Sequence, residues 1–226
     1  MEATATAKLE RTSRTKLKRF PGRGKFDRAS INAILDKAVL GHLGFDNGSP
    51  SVLPMAFWRI DDHVYFHGSQ KNRLFGSVRP DGQCCFVATI LDAFVAARAA
   101  LHHSVNYRSV IIYGEPVEAA ERVEKLAALE QLIEKFYPGR WPHIRQPSEE
   151  ELQMVCVMKL PIEEASAKIR EGFPNPYPED FHLPVWAGVI PVKNGISEPL
   201  LDPNSAADTP VPDFSHLARL VDPTAD

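Results

Sequence analysis

Residues 52–60 and 63–67 are two runs of β-branched and aromatic side chains with only Asp61 and Asp62 between them. So short a connection allows only an antiparallel hairpin, because a parallel crossover needs a dozen residues or more. Much of the remaining chain repeats the theme. Asp46-Asn47-Gly48-Ser49-Pro50 is a turn signal that folds a strand over 39–45 back onto the first run. Pro80-Asp81-Gly82 precedes an apolar run over 84–91, and further strands are expected over 104–117, the longest, and over 154–160 and 185–192. Helices are expected over 30–39 behind a Ser30 cap, over 70–78, and over 118–136, where Val123, Leu126, Ala127 and Ile133 share a face. Another is expected over 161–170, with Pro161 in its first turn. Short strands in succession with helices at the edges predict a mainly β, α+β fold, an antiparallel barrel with peripheral helices. There is no GxGxxG or Walker-type loop, which argues against a Rossmann or P-loop nucleotide site.

A chain of 226 residues buries roughly 70% of its unfolded surface, enough for a core without disulfides or a structural metal. Of the three cysteines, Cys84 and Cys85 are adjacent and point to opposite faces of a strand, so no disulfide framework is expected. Reduced thiols imply a cytoplasmic location. The net charge of -3 argues against a nucleic-acid partner, and no run of eighteen apolar residues suggests a membrane span. Charge is concentrated at one end: residues 8–25 hold eight Lys and Arg against Glu10 alone. The expected organisation is a solvated basic arm over 1–25, one domain over 26–196, and a Pro-rich tail over 197–226.

Two segments carry chemistry. In YFHGSQKNR a strand ends at His67, and Ser69, Lys71, Asn72 and Arg73 follow, a gathering of hydroxyl, amide and cationic donors suited to a phosphate. A capped helix with solvent-facing cations would use the same letters. In LPMAFW, Pro54 cannot donate to a ladder and Ala56 lets a planar ring approach the backbone, though the segment also reads as plain core packing. His63 and His67 share a strand face, yet no cysteine or carboxylate completes a metal spacing, and no metal site is expected. PGRW, 138–141, reads as a helix-ending turn anchored by Trp141 or as a lid carrying Arg140 towards a substrate.

LPMAFW, YFHGS with its following cations, and NYRSVIIYGE occur in this order, accompanied by LHHS, PGRW and LPVWAGVIPV. In these segments the chain resembles the flavin-binding split β-barrel proteins related to pyridoxamine 5'-phosphate oxidase, in particular the branch that includes the nitroimidazole-resistance reductases. The resemblance covers residues 20–192. It implies an FMN-binding split β-barrel, a homodimer with the flavin at its interface, and an oxidoreductase that reduces a small organic substrate with electrons from NAD(P)H. The alternative it implies is a flavin- or haem-binding carrier, store or sensor without turnover.

Carried onto this sequence, the resemblance places Leu53, Pro54, Met55 and Ala56 along the isoalloxazine edge. His67, Ser69, Lys71, Asn72 and Arg73 surround the phosphate or ribityl chain. Asn106, Tyr107, Arg108 and Ser109 come from a neighbouring strand of either subunit, and Trp186 closes over the ring. His67 could pass a proton to reduced flavin or substrate, and His102 or His103 is the expected ligand if the cofactor is haem. The phosphate loop lacks the family's serine-arginine-lysine run and the C-terminal strand lacks its substrate-binding arginines, so oxidation of pyridoxamine phosphate itself is not expected.

Overall fold

The structure is a computed structural model that describes residues 8–46, 48–70, 83–175, 177–203 and 210–224. Its strands are β1 (Gly24–Lys25), β2 (Leu40–Asp46), β3 (Pro50–Ile60), β4 (His63–Ser69), β5 (Cys84–Ala96), β6 (Ser104–Gly114), β7 (Val117–Glu118), β8 (Val155–Pro161), β9 (Glu164–Arg170) and β10 (Gly188–Pro191). They form one antiparallel sheet in the order β1-β9-β6-β5-β2-β3-β4-β8-β7, with β10 added on β5. The path stays open between its two ends and curls around a single core, as a split barrel does.

Alternation decides what points into that core. Leu43 of β2, Phe57 of β3, Phe66 of β4, Phe86 of β5, Ile112 of β6 and Leu160 of β8 are all fully buried on the inner face. Helix α1 (Arg28–Lys37) plugs one end with Ile31, Ile34 and Leu35. Each such side chain contributes about 1.5–3 kcal/mol by leaving water. Gly41 of β2 lies against the Phe86 ring so closely that a Cβ there would sit 2.2 Å from it.

Helix α2 (Arg122–Phe136) packs outside the barrel on a second cluster formed by Trp58, Tyr65, Ala128 and Val157. Two lysines fasten it. Lys125 donates to the carbonyls of Leu152 and Val155 at 3.2 and 3.0 Å, and Lys135 donates to those of Ala38 and Phe57 at 2.9 and 3.2 Å. Two shorter α-helices are also present among the described residues, α3 (Glu149–Met154) and α4 (His216–Val221).

Several local expectations need correction. Residues 161–170 are the β8–β9 turn and a strand, because Ala165, Ala167 and Ile169 alternate inward at period two while the helical reading rested on composition. The cap of α1 is Asp27, whose carboxylate accepts from the Ser30 amide at 2.8 Å. Residues 117–118 pair as β7, and α2 begins only at Arg122. The longest strand is β5, with 13 residues, where a bulge at Asp92 lets the strand continue to Ala96. Helix α3 was hidden in an expected loop, although Ser148 and Glu151 form a capping box. The helix expected over 70–78 falls almost entirely outside the described residues.

The described part of the basic arm is docked on the sheet. Leu9 donates its amide to Phe26 at 2.8 Å, Thr12 and Arg14 both reach the Glu164 carboxylate, and Thr15 is buried.

Candidate cofactor-binding site

Strands β3 and β4 part company halfway along. They pair from Ile60 opposite His63, next to the turn, to Phe57 opposite Phe66, and there the ladder ends. Beyond it β3 continues as 50–56 with only β2 beside it, while β4 continues as 67–69 with only β8 beside it. The parting therefore leaves an edge of β3 that no strand among the described residues covers. Pro54, an exposed residue in the middle of that stretch and opposite His42 of β2, brings no ladder donor of its own.

The expected ring-edge residues lie on this stretch, and alternation sorts them. Leu53 and Met55 pack against the barrel core, whereas Pro54 and Ala56 share the outer face with Trp58. Across the parting, His67 and Ser69 occupy the corresponding face of β4, in line with Tyr65. The His67 ring lies 5.8 Å from that of Trp58. Desolvation moves the His67 imidazole below its ordinary value, which favours its neutral form, although the residue keeps exposed surface. The indole Nε1 of Trp58 is buried without a hydrogen-bond partner, an orphaned donor beside the parting that sequence reasoning did not single out. Lys71, Asn72 and Arg73 lie outside the described residues.

The β6 group stands apart. Asn106 is buried, accepts from Arg170 and donates to the Gly172 carbonyl at 3.1 Å. Tyr107 lies under the Lys168 ammonium at 6.0 Å, and the Ser109 hydroxyl meets the Lys168 carbonyl at 3.5 Å. Arg108 grips the Asp92 carboxylate at 2.7 Å and donates to the Pro223 carbonyl at 3.0 Å. Two strands separate β6 from β3, which puts the two groups roughly 14 Å apart at the usual strand spacing. One protomer does not bring them together. Trp186 lies just before β10, 63% exposed, its ring against Gly188.

A second feature is a cavity of about 490 Å³ where β6 begins, lined by Arg19, Arg23, Arg170, His102 and His103. Among the described residues no carboxylate pairs with any of the three guanidiniums. Arg19 and Arg23 stack on the Phe20 ring at 5.1 and 4.2 Å, and Arg170 is buried, its pKa lowered by desolvation and by the neighbouring Arg23. The histidines differ. His103 Nδ1 lies 3.2 Å from the Ala99 carbonyl, which fixes a tautomer with a free electron pair on Nε2. His102 stacks on Tyr177 at 4.3 Å and buries an Nδ1 that has no partner. The arginines were hidden from sequence reasoning because two of them lie in the arm and the third at the end of β9, in a segment read as a helix.

The family model described as pyridoxamine 5'-phosphate oxidase matches residues 27–169, more than half of the chain. The chain belongs to this family. Among solved structures, the flavocytochrome Anf3 from Azotobacter vinelandii is 35% identical over 91% of this chain and 96% of that one, with a TM-score of 0.86. An FAD- and haem-binding protein from Mycobacterium smegmatis is 28% identical over 87% and 97% of the two chains, with a TM-score of 0.81. A Bacteroides thetaiotaomicron protein named for 5-nitroimidazole antibiotic resistance is 19% identical over 65% and 86%, with a TM-score of 0.55, and shares the fold. No curated protein matches the chain. No helix among the described residues is long and apolar enough to cross a membrane.

Proposed function

We propose that this member of the family is a redox protein that binds a flavin at the parting of β3 and β4 and a haem in the histidine- and arginine-lined cavity. The parting carries the flavin reading: it offers a free strand edge, a small residue at Ala56, an orphaned Trp58 donor and a neutral His67 on one face. Those groups suit a planar, acceptor-rich ring. The flavin would supply hydride and electron transfer. The protein's part would be to hold the ring beside Ala56, to offer a proton acceptor or donor at His67, and to hold the nucleotide tail through Ser69 and the cations that follow it in the sequence. The family resemblance favours FMN, and the Mycobacterium relative, named for FAD, favours the larger nucleotide.

A second copy of the chain would bring its β6 group to the ring that one protomer's β6 leaves roughly 14 Å away. Leu40 and Val52, 57% and 64% exposed on β2 and β3, give the outer face the apolar surface that such a dimer would bury. NAD(P)H is the proposed electron donor and a small organic molecule the acceptor.

The haem reading rests on His103, whose Nδ1 is engaged by the Ala99 carbonyl so that Nε2 is the available ring nitrogen, and on three guanidiniums of the same cavity that no carboxylate pairs with among the described residues and that would suit the haem carboxylates. Both relatives named for flavin and haem together support it. If the protein does not turn over, the same two sites make it a carrier or sensor.

The visible spectrum of the purified protein tests both sites, and the mass of the released chromophore separates FMN from FAD. Ala56→Trp should remove the flavin bands and keep the Soret band; His103→Ala should do the reverse. Anaerobic addition of NADH or NADPH should bleach the flavin, and an unbleached spectrum would leave the carrier reading in its place.

A further inference from the structure

Strand β5 changes partner along one edge. β2 covers it from Cys84 to Ala88 and β10 covers it from Ala93 to Ala96, so residues 89–92 have no strand on that side among the described residues. β6 runs along the whole of the other edge. A cavity of about 360 Å³ opens in the gap. Its walls include Val39 and Leu40 at the start of β2, Ile90 and Leu91 of β5, and Leu220 and Val221 of α4.

The C-terminal segment is fastened over this gap. Arg108 holds the Asp92 carboxylate in the bulge and, with its other contact, the Pro223 carbonyl. Asn194 donates to the Val221 carbonyl at 3.0 Å, and the Val192 amide donates to the Asp92 carbonyl at 2.9 Å. These bonds give the cavity a fixed roof. Leu40 is also the pairing partner of Ala56, so the cavity begins one strand from the flavin parting.

We propose that this cavity is the substrate chamber of the flavin site and takes a small, uncharged, mainly apolar molecule. The inference rests on the flavin reading above. Its walls are aliphatic, and its polar members are Thr89, Asn194 and Lys37. The Asn194 amide is already bonded to the roof, and Lys37 lies within electrostatic reach of Asp222, whose carboxyl is held down first by the Thr224 amide and hydroxyl and more weakly by Lys193 and Lys37. A charged ligand would lose hydration against aliphatic walls, whereas an apolar one gains by leaving water. A volume of this size admits a single ring with small substituents.

The test uses the full chain with the flavin it carries on purification, titrated calorimetrically with nitrobenzene and with 4-nitrobenzoate while the visible bands are recorded. Nitrobenzene should bind at least about tenfold more tightly than the carboxylate and should perturb the flavin bands. Leu220→Trp fills the chamber from the roof and Leu91→Trp from the sheet, and each should weaken nitrobenzene at least about tenfold with flavin content unchanged. Circular dichroism identifies a misfolded variant, and the other then decides. Heat that neither tryptophan reduces, tighter binding of the carboxylate, or binding that leaves the flavin bands unmoved would overturn the proposal. A flavin-free preparation would instead overturn the flavin reading, while nitrobenzene heat lost in both variants would still locate the cavity.

Discussion

Lys135 is a lysine whose burial has a measurable cost. Its ammonium donates to the carbonyls of Leu35, Ala38 and Phe57 at 3.3, 2.9 and 3.2 Å and lies 4.5 Å from the centre of the Phe57 ring. The first two carbonyls belong to the last turn and cap of α1, where helices leave acceptors without internal partners and favour a cation. Desolvation still wins, and the amine is pushed down to about 8 from 10.5. Because the unfolded chain then binds more protons between these two values, stability due to Lys135 is lost as pH falls through 8 and is fully present only above 10.5. The span of 2.5 pH units corresponds to about 3 kcal/mol, and the part between pH 7 and 9.5 to about 2 kcal/mol. Buried cysteines act with the opposite sign, since Cys84 is pushed up to about 12 and Cys156 to about 11 by burial, so the pH dependence of the wild type alone would mislead. Lys135→Met isolates the effect, because both chains share every other group. Urea unfolding at pH 7 and 9.5 should show the wild type gaining about 2 kcal/mol relative to the variant as pH rises. Parallel curves for the two chains would refute the argument that the ammonium is buried at a cost.

Gly41→Ala should destabilise the protein by about 1–3 kcal/mol, because the new methyl meets the Phe86 ring, and adding Phe86→Leu should recover part of the loss in a double-mutant cycle of unfolding free energies. Phe86→Ala alone should cost about 3–5 kcal/mol as the fully buried ring leaves a cavity at the centre of the barrel. Glu164→Ala should change global stability by no more than about 1 kcal/mol, since its pair with Arg14 is partly exposed, yet limited proteolysis should cut faster within residues 8–25 once the arm loses that anchor.

The hairpin was legible because period-two alternation and a two-residue turn admit one geometry, and Asp61 does adopt the left-handed conformation that such a turn requires. β9 was not legible, since Ala165, Ala167 and Lys168 are strong helix formers, and the burial of the two alanines on the inner face of the sheet overrides propensity. Residue types near the flavin parting could be read from the sequence, but the parting itself could not, because it depends on β4 leaving β3 after Phe66 while it stays paired to Ser69 with β8, almost a hundred residues away in the chain. The arginine cavity was still less accessible. It joins an arm, a 3₁₀ turn and a strand end whose charges look like ordinary surface until they are found facing one another without acids.

The flavin parting and the cavity beside β5 both arise at a strand that changes partners. β3 and β4 separate beyond the Phe57–Phe66 pair, and β5 exchanges β2 for β10 across residues 89–92. Uniform pairing would leave backbone edges only at the two ends of the path, whereas each exchange frees an edge in the middle of the sheet, beside a packed core that keeps it rigid. The sequence marks both places with residues that fit a central strand poorly: Pro54, which lacks a donor, and Asp92, which occupies the bulge and carries a charge. At Asp92 the misfit is compensated by Arg108, and through Arg108 by the C-terminal segment that roofs the gap. Asp92→Val would suit the strand better and still undo the arrangement, because Arg108 would lose its carboxylate and the roof its fixed anchor. The expected signature is a protein with near-native unfolding free energy whose C-terminal residues exchange amide hydrogens markedly faster. Unchanged protection over 216–224 in that variant would show that the roof does not depend on the bulge.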